Sequence, residues 1–146
     1  MQSPPASISC AITSTDISRP LGLEVWVDDQ LTLDVGHVRQ TIDWYHELPE
    51  DSAQHELRFV LKNKTQDHTT VDQSGNIIND ACLTLSDIKF DGIELGHMFV
   101  ELSEYDHDFN GAGPMTKETF YGTMGCNGTV SLKFTTPIYL WLLENL

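Results

Sequence analysis

Apolar and polar residues alternate along most of the chain. Apolar side chains occupy every second position in four segments, which run over 8–12, 23–27, 57–61 and 130–134. A period of two is typical of β-strands that bury one face. Turn sequences with Asp, Asn and Gly separate these segments. The pattern predicts an all-β chain of about ten short strands, folded as an antiparallel β-sandwich of the jelly-roll kind.

The segment 83–90 changes its apolar parity partway along. Odd positions are apolar up to Leu85, and even positions are apolar from Ile88 onward. One extra residue in a strand turns all later side chains to the opposite face. The switch therefore predicts a β-bulge at Ser86-Asp87, and the following Asp91-Gly92 predicts a hairpin turn.

The segment from Gly96 to Tyr105 fits two periods. Phe99 and Leu102 have helical spacing, but the apolar residues of this segment also alternate as in a strand. We predict a strand, and we expect less than about a tenth of the residues to be helical. Neither an internal repeat nor a low-complexity linker is visible, so a single domain is expected over residues 1–146.

The C-terminal segment 137–146 is apolar at both parities. Six apolar residues follow one another there: Ile138, Tyr139, Leu140, Trp141, Leu142 and Leu143. A strand of this composition needs cover on both faces. Two interpretations are open: a central strand under a loop, or a docking strand that another subunit covers. In the second interpretation these six residues form an interface, and another chain covers part of Tyr139, Trp141 and Leu143.

The charge of the chain argues against two classes of partner. There are 8 Lys+Arg against 22 Asp+Glu, which gives a formal net charge of −14. Nucleic acids and anionic membrane surfaces both require a basic face, so neither is an expected partner. The first five residues contain no basic and apolar signal-peptide regions, so we expect synthesis in a host cytoplasm without export by such a signal.

No motif in the sequence indicates an enzyme. There is no G-x-S-x-G elbow and no Gly-rich phosphate loop. The six histidines are spread one per segment, and the three cysteines contain no Cys-x-x-Cys pair, so a zinc site of the usual spacing is not predicted. We therefore expect a non-enzymatic protein.

Oxygen-bearing side chains concentrate in two segments. Asp106, Asp108 and Asn110 alternate ahead of a glycine, as in the first half of a calcium loop, although an acidic hairpin tip is the alternative. The other segment is the acidic loop from Asn63 to Asp80. If a metal is bound, we expect calcium held by oxygen atoms at one of these two places.

Part of the chain resembles a known family. The sequences LEVWVDDQ, HELRFVLKNK and DACLTLSDIKFDGIEL, within residues 21–95, resemble the calcium-dependent xylan-binding carbohydrate-binding modules. The resemblance implies a small β-sandwich with Asn63 and Asp80 at metal-site positions, although Lys64 stands where a carboxylate is expected. Such modules stack aromatic side chains on sugars, and Trp26 and Trp44 are the candidates by residue type.

A second resemblance is most specific in the C-terminal third. The sequences LGHMFVE, HDFNG and YGTMGCNGTVSLKFTTPIYLWLLENL are similar to small virion-type proteins of tailed phages of marine cyanobacteria. This implies a capsid decoration, fibre or tail accessory protein, located in the virion, that contacts copies of itself or other virion proteins. Two functions are thus predicted: a non-enzymatic virion structural protein, or a calcium-dependent module that binds a host surface polysaccharide.

Overall fold

Two main antiparallel sheets, a separate two-stranded hairpin and two short helices make up the computed structural model, which describes residues 4–145. The strands are β1 (Ala6–Ser14), β2 (Gly22–Val27), β3 (Gln30–Val35), β4 (Ile42–Leu48), β5 (Gln54–Lys62), β6 (Thr69–Val71), β7 (Ile77–Asp80), β8 (Leu83–Phe90), β9 (Ile93–Glu94), β10 (Glu104–His107), β11 (Thr116–Thr119), β12 (Thr123–Met124) and β13 (Gly128–Thr135). The helices are α1 (His97–Leu102) and α2 (Ile138–Glu144), and a single 3-10 turn covers Gln66–His68. Strands account for 51% of the described residues, and helices account for 11% when the 3-10 turn is included, so the predicted all-β class is confirmed and the helical share is close to the expected tenth.

The strands are divided between two main sheets. The five-stranded sheet has the order β12-β8-β1-β4, with β9 added to β8. The six-stranded sheet has the order β11-β10-β13-β5-β2-β3, and β6 pairs with β7 in a separate hairpin. Neighbouring strands in the chain pair over short turns in several places, as expected for an antiparallel sandwich.

The inward faces of the two sheets share one hydrophobic core. Ile8 and Phe90 of the five-stranded sheet and Phe59 and Phe134 of the six-stranded sheet are each at most 1% exposed. The rings of Phe90 and Phe134 meet edge to face, with centroids 4.9 Å apart. The alternation in the sequence thus places apolar side chains of both sheets in contact, and their burial is the main stabilising contribution.

The predicted bulge in β8 is confirmed. Ser9 pairs with Lys89 whereas Ala11 pairs with Ser86, so β8 has one residue more than β1 over this step. Asp87, at the bulge, has a φ of 52°. The turn at Asp91-Gly92 is also present: both residues have positive φ, and they join the paired strands β8 and β9.

The segment from Gly96 to Tyr105 is mainly helical, so the predicted strand is wrong there. Helix α1 covers His97–Leu102, and only β10, which begins at Glu104, is a strand. Gly96, the N-cap residue just before the helix, has a φ of 56°, a conformation that glycine adopts without strain. Phe99 is the buried residue of the helix, and its ring packs edge to face on Phe120. Met98 and Leu102 of the same helix are partly buried and also pack against the core.

The C-terminal segment 137–146 contains helix α2, so both interpretations were wrong in expecting a strand there, while contact of this segment with another chain stays a prediction; Leu146 lies outside the described residues. The helix buries a stripe of three side chains, Ile138, Trp141 and Leu142, which are 0%, 5% and 9% exposed. Apolar residues at both parities, which a strand would present on two faces, here place one stripe against the core. Among residues 4–145 no helix has the length and apolar character needed to cross a membrane.

Candidate functional site

Two segments that are distant in sequence meet at one end of the sandwich. Asn127, just before β13, accepts a hydrogen bond from the backbone N of Lys64 (3.0 Å) and donates one to its carbonyl oxygen (2.9 Å). The backbone N of Asn127 also donates to Oδ1 of Asn110 (2.7 Å). The two segments in which we expected calcium ligands are therefore joined through Asn127. We call the region formed by residues 63–82, 108–113 and 125–128 the loop end.

A buried lysine lies at the centre of the loop end. Nζ of Lys64 is 2.6 Å from Oδ1 of Asp80 and 2.6 Å from the carbonyl oxygen of Gly125, and its side chain is only 2% exposed. Thr69 Oγ1 donates a second hydrogen bond to Asp80 Oδ1 (2.7 Å). Burial by itself raises the pKa of Asp80, but the hydrogen bonds from Lys64 and Thr69 outweigh it and hold this pKa below its ordinary value. Asp80 is therefore an ionised partner of Lys64.

The contacts of Lys64 do not fit a calcium ion at Asn63 and Asp80. Calcium requires about six to eight oxygen ligands. Here the ammonium group occupies oxygen atoms of Asp80 and Gly125, and Asn63 directs its Nδ2 toward the carbonyl oxygen of Gly36 (3.5 Å). A divalent cation placed beside a buried ammonium group is repelled by it. Lys64, which stands where the resemblance leads us to expect a carboxylate, therefore makes this place unsuited to a calcium ion.

The oxygen atoms of the other predicted calcium segment are engaged in a turn. Asp108 Oδ1 accepts a hydrogen bond from the backbone N of Gly111 (2.9 Å), and Asn110 Oδ1 accepts from Asn127. Asp106 lies apart from them within β10, where its Oδ1 is buried without a hydrogen-bond partner. The geometry is that of a hairpin tip between β10 and β11. Over residues 4–145, no group of three or more His, Cys, Asp and Glu side chains is arranged to hold a metal ion.

An open cleft of about 720 Å³ lies beside the Lys64 contacts. Its lining consists of Lys64, Thr65, Gln66, Thr69, Val71 and Asn110. Most of these side chains carry an uncharged hydroxyl or amide group, and those of Thr65, Gln66 and Asn110 are exposed to solvent. The cleft can therefore exchange hydrogen bonds with a neutral polar ligand in both directions, as donor and as acceptor.

The two tryptophans named as sugar platforms have different surroundings. Trp44 is only 6% exposed, and its ring packs edge to face on Phe59. It is a core residue and offers no free ring face to a ligand. Trp26 is half-buried on the outward face of β2, where Nε1 donates to Glu24 (2.9 Å) and the Arg58 guanidinium carbon lies 5.6 Å from the ring centroid. Neither tryptophan lines the cleft.

Helix α2 divides the six C-terminal residues proposed as an interface into a buried set and an exposed set. Ile138, Trp141 and Leu142 are buried in the chain's own core, and Trp141 stacks on Phe90 with centroids 5.4 Å apart. The exposed residues are Tyr139, Leu140 and Leu143, at 59%, 45% and 64%. Only this second set is free to contact another molecule.

A buried histidine cluster, which the sequence analysis did not single out, lies where β5 begins. His55 places Nδ1 2.9 Å from Asp28 Oδ2 and Nε2 2.9 Å from Asp51 Oδ1. When the ring is protonated, each of its nitrogens donates a hydrogen bond to one of the two carboxylates. Burial lowers the pKa of His55, but the hydrogen bonds to Asp28 and Asp51 outweigh it and raise this pKa above 6.5. The four-residue spacing of Asp51 and His55 is the only local sign of the cluster.

Comparison with known proteins identifies similar folds. No protein-family model matches the chain, and no curated protein sequence matches it. A solved structure of vCBM60 in its selenomethionine form has a TM-score of 0.54 at 12% identity, with 87% of this chain and 89% of that chain covered. That module is described within two families of calcium-dependent carbohydrate-binding modules linked by circular permutation. A complex of vCBM60 with galactobiose has a TM-score of 0.50 at 13% identity and covers 86% of this chain and 96% of that chain. The chain thus has a β-sandwich fold like that of a carbohydrate-binding module, which confirms the first resemblance for the fold.

Proposed function

We propose that the protein is a non-catalytic glycan-binding module that uses the loop-end cleft. The observation that carries this proposal is the lining of the cleft, in which Thr65, Gln66 and Asn110 present exposed hydroxyl and amide groups beside Val71. Sugars combine many hydroxyl groups with apolar C–H faces, so a neutral hydrogen-bonding cleft with one apolar wall suits them. The similar module vCBM60 binds galactobiose, which supports a carbohydrate as the ligand class.

The structure around the cleft favours a preorganised site. Asn110 is fixed by the hydrogen bond from Asn127, and Lys64 anchors the chain just before Thr65. Ordering these loops in the free protein reduces the conformational entropy lost when a ligand binds. Each hydrogen bond to a sugar contributes only about 0.5–1.5 kcal/mol net, because it replaces a bond to water. We therefore expect weak binding to a single short oligosaccharide.

Binding of neutral oligosaccharides by isothermal titration calorimetry tests the proposal. Gln66→Ala removes an exposed amide from the cleft and should weaken binding about fivefold or more, as the loss of one hydrogen bond of about 1 kcal/mol predicts. Gln54→Ala removes an exposed amide at the opposite end of β5 and is the matched control. Equal affinities for Gln66→Ala and the wild type would exclude this cleft as the site.

It stays a prediction that the protein is located in a virion and contacts copies of itself or other virion proteins there. The observation that favours it is the exposed stripe of Tyr139, Leu140 and Leu143 on α2, an apolar surface of the kind found in interfaces. In that setting the module would bind a host surface polysaccharide. Mass spectrometry of purified phage particles tests this: peptides of the chain are expected in the particles, and particles without them contradict the setting.

A further inference from the structure

The loop end contains its own positive charge at the place where three loops meet. Lys64 contacts the last residue of β7 through Asp80, the segment after β12 through Gly125, and the residue before β13 through Asn127. A metal ion with a structural role does the same: it neutralises a carboxylate, collects carbonyl oxygens and holds loops together. We infer that the Lys64 ammonium group takes this role, so that the loop end and its cleft form without a calcium ion.

The charge balance of the cluster supports this assignment. One ammonium group faces one carboxylate, since the neighbouring Cys82 thiol, whose Sγ is 3.8 Å from Asp80 Oδ2, is half-buried and has a pKa raised mainly by desolvation. The Cys126 thiol nearby also has a pKa raised by burial. Both thiols are therefore neutral, and the Lys64 ammonium group balances the charge of the Asp80 carboxylate that it contacts.

Lys64 also lies next to the proposed glycan site. Lys64 lines the cleft together with the residue that follows it, Thr65. In this respect the inference rests on the proposed function: the protein should bind its glycan equally well in the presence of a chelator and of calcium. A module that requires calcium for its ligand loses binding when the metal is removed.

Thermal unfolding in EDTA and in millimolar calcium tests the inference directly. Wild-type Tm should be the same in the two buffers, because a ligand raises Tm only when it binds the native state. Lys64→Met, which keeps the aliphatic stem but removes the charge, should lower Tm by at least about 6 °C, because Asp80 and Gly125 lose their buried donor. Lys89→Met, at an exposed lysine of β8, is the control and should melt with the wild type.

Two results of this experiment would overturn the inference: a wild-type Tm that rises with calcium, or a Lys64→Met protein as stable as the wild type. If Lys64→Met does not fold, calorimetric titration of calcium into the wild-type protein decides the question. No saturable binding is expected, and a saturable isotherm would contradict the inference.

These measurements need no sugar, so they test the inference even if no glycan binds. Where a glycan does bind, affinities within about twofold in the two buffers support the inference, and loss of binding in EDTA opposes it.

Discussion

The backbone N of Asn127 donates a hydrogen bond to Oδ1 of Asn110, 2.7 Å away and 17 positions earlier in the chain. The side chain of Asn127 reaches further, to both backbone polar groups of Lys64. One asparagine therefore connects the turn after β10 with the loop after β5. In the sequence Asn127 stands before a glycine and indicates only a turn, although its side chain organises the proposed ligand site.

Substitution of Asn127 should loosen the loop end. Asn127→Ala leaves the N and O of Lys64 without their partners, and each unsatisfied backbone group costs about 1–3 kcal/mol when it is buried. We expect the free energy of unfolding to fall by about 2 kcal/mol in chemical denaturation. Gln73→Ala, at an exposed turn position between β6 and β7, is the control. An Asn127→Ala protein with wild-type stability would show that these hydrogen bonds do not stabilise the fold.

Stability should depend on pH through the His55 cluster. The folded pKa of His55 is raised above 6.5, so the contribution of this group is fully present below pH 6.5 and is lost as the pH rises through the folded pKa. The hydrogen bond from His55, with that from Thr136, lowers the folded pKa of Asp51 below 3.8, so its contribution is present above pH 3.8 and is lost as the pH falls through the folded pKa. The cluster should stabilise most between these two limits.

His55→Phe tests the alkaline half of this dependence. Phenylalanine fills a similar volume beside Phe134, whose ring centroid is 5.4 Å from that of His55, but it does not titrate. Unfolding free energies measured from pH 6 upward should fall in the wild type and be flatter in His55→Phe. His97→Gln, at an exposed histidine of α1, should keep the wild-type slope. Identical slopes for His55→Phe and the wild type would contradict the assignment.

Two glycines offer a matched test of strand packing. A Cβ atom at Gly128 would overlap the carbonyl oxygen of Asp106, whereas none of the described atoms lies within 4 Å of a Cβ at Gly36. Gly128→Ala should therefore disturb the pairing of β10 with β13 and destabilise the protein by roughly 2 kcal/mol or more. Gly36→Ala should change stability by less than about 1 kcal/mol. Equal effects in denaturant titrations would rule out the close approach at Gly128.

Helix α2 should be stabilised by its buried stripe alone. Trp141→Ala removes a ring that packs on Phe90 and Phe134, and the cost expected for such a truncation is about 3–5 kcal/mol. Leu143→Ala, at a side chain that is 64% exposed, should change stability by no more than about 0.5 kcal/mol in the monomer. Thermal melts of the two variants distinguish these effects. A larger loss for Leu143→Ala than for Trp141→Ala would contradict the packing of α2.

The sequence pattern predicts features whose cause is local. The bulge at Ser86-Asp87 follows from a parity switch, and the turn at Asp91-Gly92 follows from the residues that adopt positive φ most readily. The helical state of α2 was not predicted, because apolar residues at both parities fit either a strand or a helix. Packing against the core decides that this segment is a helix, because Trp141 is buried there whereas Tyr139 remains exposed to solvent.

The candidate site depends on contacts that one sequence does not encode in a local pattern. Lys64 meets Asp80 over 16 positions and Gly125 over 61 positions. The segments 63–80 and 106–110 were recognisable as rich in oxygen atoms. Their connection through Asn127 and the place of the lysine among them required the three-dimensional arrangement of the loops.

A heteronuclear NMR titration of the wild-type protein tests the central claim, that the loop-end cleft binds glycans. The protein is titrated in EDTA with a panel of neutral oligosaccharides that includes galactobiose. The account predicts that at least one oligosaccharide shifts the backbone resonances of Thr65, Gln66 and Asn110 in a saturable manner. Shifts centred on Trp26 instead, or no saturable shift in the cleft with any member of the panel, would contradict it.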